Sequence, residues 1–111
     1  MIDGLIAGKL HGNSEQRTSR TDQPFAIAKV RAASATGDTV FVNCIAFAPD
    51  AVGALLALGD GDSVALAGEL TPKAWADRNG EPRPGLDMVV HAVVTPYHVT
   101  RKRKAMEQPE Q

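Results

Sequence analysis

A single cysteine, Cys44, leaves this chain without the means to form an internal disulfide, and one thiol cannot build a structural zinc cluster. Its neighbours Val42, Ile45 and Phe47 describe a strand, so Cys44 reads as a buried thiol within it. No apolar run approaches the roughly 20 residues that cross a bilayer as a helix. No cationic segment precedes an apolar stretch at the N-terminus, so neither a membrane span nor a signal peptide is expected. A reducing, cytoplasmic location follows as the expectation. Aromatic residues make up only 5% of the chain, and the formal charge is −1, so no general positive excess draws polyanions. His11, His91 and His98 lack metal-ligand spacing, and no phosphate loop, nucleophile elbow or paired-histidine zinc motif occurs. Asp60 and Asp62 bracket a glycine, and turn chemistry accounts for both. With no catalytic constellation and no cofactor motif, the sequence reads as a binding protein and not an enzyme.

What the chain does have is uneven charge and one unusually placed tryptophan. Acids gather at Asp60, Asp62, Glu107 and Glu110, with Asp50 at the start of a helix. Cations fall at Lys9, Arg17, Arg20, Lys29, Arg31, Lys73, Arg78, Arg83 and the run Arg101-Lys102-Arg103-Lys104. Such separation permits one positive face on a nearly neutral molecule. Trp75 sits between Lys73 and Arg78, just before an Asp77-Arg78-Asn79-Gly80 turn, with an apolar strand on either side. A tryptophan among cations near a hairpin tip is poorly placed for a core and well placed to stack on a base beside phosphates.

At 111 residues the chain makes one domain with a sizeable core. Ile2 to Leu10 reads as a first strand, with Gly4 and Gly8 marking a bulge or a close backbone approach. The polar segment His11 to Gln23 reads as a connecting loop. Phe25 to Ala33 is a second strand whose alternation puts Phe25, Ile27, Lys29 and Arg31 on one face, opposite Ala26, Ala28, Val30 and Ala32. Thr39 to Phe47 is a third, with Phe41, Asn43, Ile45 and Phe47 sharing a parity. Pro49 to Leu58 has the pattern of a helix, with Pro49 in the first turn, Asp50 at the positive end and Gly59 as the stop. Its residues Val52, Leu55, Leu56 and Leu58 are spaced to meet a sheet. A fourth strand spans Ser63 to Leu70, and a fifth runs from about Leu86 to Tyr97. Five strands with one helix between the third and fourth is the order of an OB-fold, a partly open Greek-key barrel. The barrel is expected over residues 1–99, with a flexible basic then acidic tail over 100–111.

The residues in this order resemble the bacterial single-stranded DNA-binding proteins of the SSB family. Leu5-Ile6-Ala7-Gly8-Lys9-Leu10 is similar to the family's opening strand with its Gly-Arg-Leu signature, with lysine for arginine. Glu15-Gln16-Arg17 resembles its Pro-Glu-x-Arg, with Ser14 in place of proline. Phe41 to Phe47 resembles the third strand, where the family commonly has Trp at the first position and Phe at the last. Leu58-Gly59-Asp60-Gly61-Asp62-Ser63-Val64 is similar to the Gly-x-x-Val entry to the fourth. Lys73-Ala74-Trp75-Ala76-Asp77-Arg78-Asn79-Gly80 matches the Lys-x-Trp-x-Asp-x-x-Gly hairpin. The resemblance covers roughly residues 2 to 98. It implies a homodimer or homotetramer that holds single-stranded DNA without sequence preference in replication, recombination or repair. Two departures stand out: the acidic, Phe-ended recruiting tip is missing, and Ala32-Ala33-Ser34-Ala35 stands where a second aromatic often lies. Both suggest a short paralogue, or a relative such as primosomal replication protein N.

The candidate nucleic-acid contacts are Trp75, Phe41, Phe47, Lys9, Arg17, Lys29, Arg31, Lys73, Arg78 and Arg83. Each has a structural alternative. Trp75 could clamp its own hairpin, Phe41 fits a core position as well as a ligand contact, and any single cation could simply be solvated. Phe25 and Tyr97 read as structural. Lys9, Lys29, Arg31 and Lys73 are expected on strands, and Arg17, Arg20, Arg78 and Arg83 in loops beside the groove. The 101–104 run is either a solvated tail or a phosphate clamp. RNA is a possible alternative ligand, because stacking does not read the 2′-OH. The rival reading is a protein-interaction module that bridges replication or primosome proteins and touches DNA weakly.

Overall fold

The structure, a computed structural model, describes residues 1–94. Tyr97, His98, Glu107, Glu110, the basic run 101–104 and the expected tail over 100–111 lie outside the described residues. The elements are β1 (Ile2–Leu10), β2 (Glu15–Thr18), β3 (Pro24–Ala33), β4 (Thr39–Ala46), α1 (Pro49–Leu56), β5 (Ser63–Ala76) and β6 (Pro82–Val94). They form one six-stranded sheet in the order β1-β5-β6-β4-β3-β2, and β1 also pairs with β3, which closes the ring. The β4–β6 pair is parallel, and the other pairs are antiparallel. This is a Greek-key barrel with one helix between the two halves of the chain, the architecture the sequence predicts.

Alternation drives the closure. Ala26, Ala28 and Val30 of β3, Val42, Cys44 and Ala46 of β4, and Met88 and Val90 of β6 all point inward and are buried. Leu10, Val64 and Leu66 complete the wall, and α1 adds Ala51, Val52 and Leu55. Burial pushes the Cys44 thiol up to about 12, with the nearby negative charge of Asp87 adding to the effect. The expected inert, buried thiol is therefore what the fold contains.

Gly8 is needed where the barrel closes. A Cβ there would run into the Arg31 carbonyl oxygen of β3. The register of β1 against β5 is unbroken from Ile2 to Lys9, so Gly8 serves close approach and not a bulge. The irregularity lies instead between β5 and β6, where the register shifts between Ala67 and Gly68.

Several expected boundaries change. The segment read as a loop from His11 to Gln23 contains β2, whose four residues pair with Ile27 to Pro24 of β3. A polar, fully exposed edge strand carries no hydrophobic alternation, so periodicity does not reveal it. Arg17 consequently lies on β2, and Arg83 on β6, where both were expected in loops. The strands either side of Trp75 extend to Ala76 and from Pro82, leaving only a tight turn between them. Helix α1 stops at Leu56, which is itself exposed, and Gly59 lies beyond the stop. No side chain caps its N-terminus, so Asp50 contributes only its charge in the first turn.

The Asp60 and Asp62 turn behaves as turn chemistry requires. Asp62 Oδ2 accepts from the Gly59 amide at 2.8 Å, and Asp60 Oδ1 accepts from the Gly12 amide at 2.7 Å. Asn13 Oδ1 accepts from the Asp60 amide at 3.1 Å, tying this turn to the segment after β1.

Candidate nucleic-acid interface

The outward face of the barrel is organised in rows that run across the strands. Register partners share a face, so each row is read from the pairing. The first row is Lys9 (β1), Arg31 (β3), Phe41 (β4), Gly85 (β6) and Lys73 (β5), each the direct partner of the next. The second is Lys29, Asn43, Asp87 and Thr71. The third is Glu15, Ile27, Ile45, Val89, Glu69 and Asp3. Successive rows are about 7 Å apart, the rise of two strand residues.

Cations and aromatics concentrate in the first row and its margins. Trp75 pairs with Arg83 and lies over Gly85, whose missing side chain makes room for it. A Cβ on Gly85 would come within 3.1 Å of Trp75 Cδ1 and 3.4 Å of Lys73 Cε. The Trp75 ring meets Phe41 edge to face, with centroids 6.4 Å apart, and His11 meets the same Phe41 at 5.3 Å. Lys29 Nζ stands 5.7 Å from the Phe41 ring centre. Lys29, Phe41, Asn43, Lys73 and Trp75 line a shallow cleft of ≈ 310 Å³. Trp75 remains 39% exposed, so the ring offers a surface that its own hairpin does not cover.

The cations divide by their partners. Lys73 pairs with Asp87, Arg83 Nε with Asp77 Oδ2 at 2.9 Å, and Arg17 with Glu15 at 3.2 Å. Lys9, Lys29, Arg31 and Arg78 have no carboxylate partner among the described residues. Lys9 and Arg31 stand side by side above a shallow depression of ≈ 370 Å³ at the β1–β3 seam. Two adjacent cations with no carboxylate partner among the described residues mark a place where an anion is favoured.

Of the ten candidate residues, the fold therefore gathers Lys9, Lys29, Arg31, Phe41, Lys73 and Trp75, with Arg83 at their edge. Arg78 is in the exposed turn beyond Trp75. Phe47 and Arg17 are elsewhere. Phe47 is 55% exposed just past β4 and packs on Phe25 at 5.8 Å, with Arg17 opposite Phe25 on β2. Along β4, Phe47 is about 20 Å from Phe41 by strand rise. Residues of this face not singled out from the sequence include His11, Gly85 and Asp87. The parity of β6 carries the signal for Gly85 and Asp87, since Gly85, Asp87 and Val89 alternate outward from Leu86, Met88 and Val90. His11 lies just after a strand and shows no such pattern.

No family model matches the sequence, and no curated protein matches it. Solved structures do match. The small single-stranded DNA-binding protein from Streptomyces coelicolor aligns with a TM-score of 0.68 at 20% identity, over 85% of this chain and 93% of that one. The mitochondrial single-stranded DNA-binding protein Rim1 from S. cerevisiae aligns with a TM-score of 0.64 at 14% identity, over 86% of this chain and 94% of that one. The chain shares their OB-fold. At these identities the agreement concerns the path of the backbone, while the rows of side chains described above belong to this sequence.

Proposed function

We propose that the protein binds single-stranded DNA without sequence preference, bases stacking on Trp75 and Phe41 while phosphates meet Lys9, Arg31 and Lys29. The observation that carries this reading is the unbroken first row across five strands, in which Lys9, Arg31, Phe41 and Lys73 are aligned and Gly85 leaves room for the exposed Trp75 above it. Aromatic faces accept any base, and cations accept any phosphate, so stacking and charge pairing here do not read sequence. Its cellular role is support of replication, recombination or repair by keeping bases unpaired. Arg78 and Lys73 extend the cationic margin, and Phe47 with Arg17 forms a second, separate contact for a longer strand. Similarity of fold to single-stranded DNA-binding proteins supports the same assignment.

The protein acts as a homodimer or homotetramer. Over Ile2 to Gly8, β1 is paired with β5 on one side, while its pairing with β3 is confined to Lys9 and Leu10. Among the described residues that leaves an open strand edge bearing exposed Ile2 and Leu5, 54% and 66% accessible, which a second copy would cover. A second reading, a protein-interaction module of a primosome-type assembly, rests on the apolar residues Ile27, Ile45 and Val89 in the third row. Copurification after nuclease treatment separates the two, since only a protein-bridged assembly survives loss of DNA.

Titration with oligo-dT at low salt, followed through Trp75 fluorescence, tests the main proposal. Saturable quenching is expected. Trp75→Ala is expected to weaken binding by about 1–3 kcal/mol, the worth of one stacked base, while leaving the thermal transition in place. An affinity unchanged by that substitution would remove the hairpin from the site. Matched ribo-oligomers in the same assay decide between DNA and RNA.

A further inference from the structure

The third row carries charge of the opposite sign to the first, and the second is mixed, with Lys29 at its β3 end and Asp87 two strands away on β6. Asp87 projects from the middle of the face, 53% exposed, diagonal to Lys73 and one row from Phe41. Beyond it, Glu69 and Asp3 face each other across β5 and β1, and Glu15 closes the far end of the third row. Among the described residues of the third row there is no lysine or arginine. Its centre is the apolar set Ile27, Ile45 and Val89, above a depression of ≈ 290 Å³ that Glu69 and Asp87 also line. His91 Nε2 is 3.4 Å from Glu69 Oε1, and Lys73 is the partner of Asp87; these are the groups that offset the acids locally.

The geometry assigns to Asp87 the edge of the nucleic-acid path, an inference that rests on the proposed single-stranded DNA binding. A phosphate that strays from the first row toward the third meets the Asp87 carboxylate within about 7 Å and Glu69 and Asp3 one row further, distances inside or near the screening length at low salt. The strand is thereby confined to a band running from the Lys9–Arg31 seam over Phe41 to Trp75, across the strands of the sheet, with Lys29 at its margin where the second row is still cationic. Asp87 acts on the ligand in two ways at once: it repels phosphate directly, and it holds Lys73 in an ion pair that a phosphate would otherwise use. The outcome is a short footprint and an affinity below what the cations alone would give. Asp87 is thus a determinant of where the strand lies and how many nucleotides it occupies.

The test compares oligo-dT of graded length on the full chain, at low and at high salt. Asp87→Asn is expected to tighten binding about three- to tenfold at low salt, with the gain shrinking as salt screens the removed charge. Affinity in this variant continues to rise at lengths where the wild type has levelled off. Glu69→Gln, one row further away, gains less. In a Lys73→Met background Asp87→Asn still tightens binding, because direct repulsion is relieved even when no ion pair exists to release. Unchanged or weaker binding by Asp87→Asn overturns the inference, as does a gain that vanishes in the Lys73→Met background. A wild type that binds no oligo-dT at all overturns the proposed function itself, so the two failures are told apart by the wild-type titration alone.

Discussion

Asp77 holds the end of the β5–β6 hairpin with three hydrogen bonds. Its Oδ1 accepts from the amides of Asn79 and Glu81 at 2.9 and 3.0 Å, and its Oδ2 accepts from Arg83 Nε at 2.9 Å. The Glu81 amide holds this carboxyl below the usual aspartate range, and the Arg83 side chain and the Asn79 amide together outweigh the opposing effect of desolvation. A carboxyl lowered in the folded chain stabilises it above the unfolded value of about 4 and ceases to do so as pH falls through the lowered folded value. Because Arg83 is the cross-strand partner of Trp75, protonating Asp77 loosens the frame on which the tryptophan rests. Trp75 fluorescence anisotropy in free protein is therefore expected to fall as pH is lowered through that range. Asp77→Asn keeps an acceptor for the turn amides and loses the charge, so its anisotropy is expected to stay flat over the same interval. The Asp-Arg-Asn-Gly turn is plain in the sequence, whereas the use of Arg83 to complete it is not. A guanidinium six residues away, expected in a loop, is brought to the turn by a strand that runs back alongside Trp75.

The hairpin that carries Trp75 is legible in the sequence, although its strands reach Ala76 and start at Pro82, past the expected bounds of Leu70 and Leu86. Residue types that tolerate few alternatives crowd together there: a lone tryptophan, a turn-forming Asp-x-Asn-Gly and flanking strand formers. Gly85 completes the arrangement, and its role is a matter of packing that no local pattern announces. Replacing it with alanine places a methyl 3.1 Å from Trp75 Cδ1, so the ring has to tilt away from Phe41. Gly85→Ala is expected to change Trp75 emission and to weaken oligo-dT binding several-fold, with the thermal midpoint little altered because the strained partner is a half-exposed side chain. A large drop in the midpoint with unchanged binding would show that the glycine serves the barrel and not the platform. Strand β2 is the opposite case. Glu15-Gln16-Arg17-Thr18 has nothing to bury, and only the exposed edge of β3 makes it a strand. Alternation finds strands that cover a core and is silent about those that merely extend a sheet.

At the scale of the whole molecule, a formal charge of −1 conceals a face that is positive in one row, mixed in the next and negative in the third. Net charge sets solubility and long-range steering, but a polyanion binds to the local row, so the two quantities lead to different expectations for salt. If the overall charge governed association, affinity for oligo-dT would depend little on ionic strength. If the first row and its margin govern it, the cations there without carboxylate partners among the described residues do the work: Lys9 and Arg31 in the row and Lys29 beside it, with Lys73, Arg83 and Arg17 already engaged by acids. For single strands the logarithm of affinity falls with the logarithm of salt with a slope of about −0.7 for each phosphate neutralised. Three such contacts give a slope of about −2, and Lys9→Ala or Arg31→Ala is expected to reduce its magnitude by about 0.7. Arg83→Ala, by contrast, lowers affinity through the hairpin and leaves the slope nearly unchanged, because Asp77 and Glu81 already hold its charge. Titrations of the three variants at four or more salt concentrations measure this directly. Equal slopes for Lys9→Ala and wild type would remove the β1–β3 seam from the path and leave the phosphates to the Trp75 end of the row.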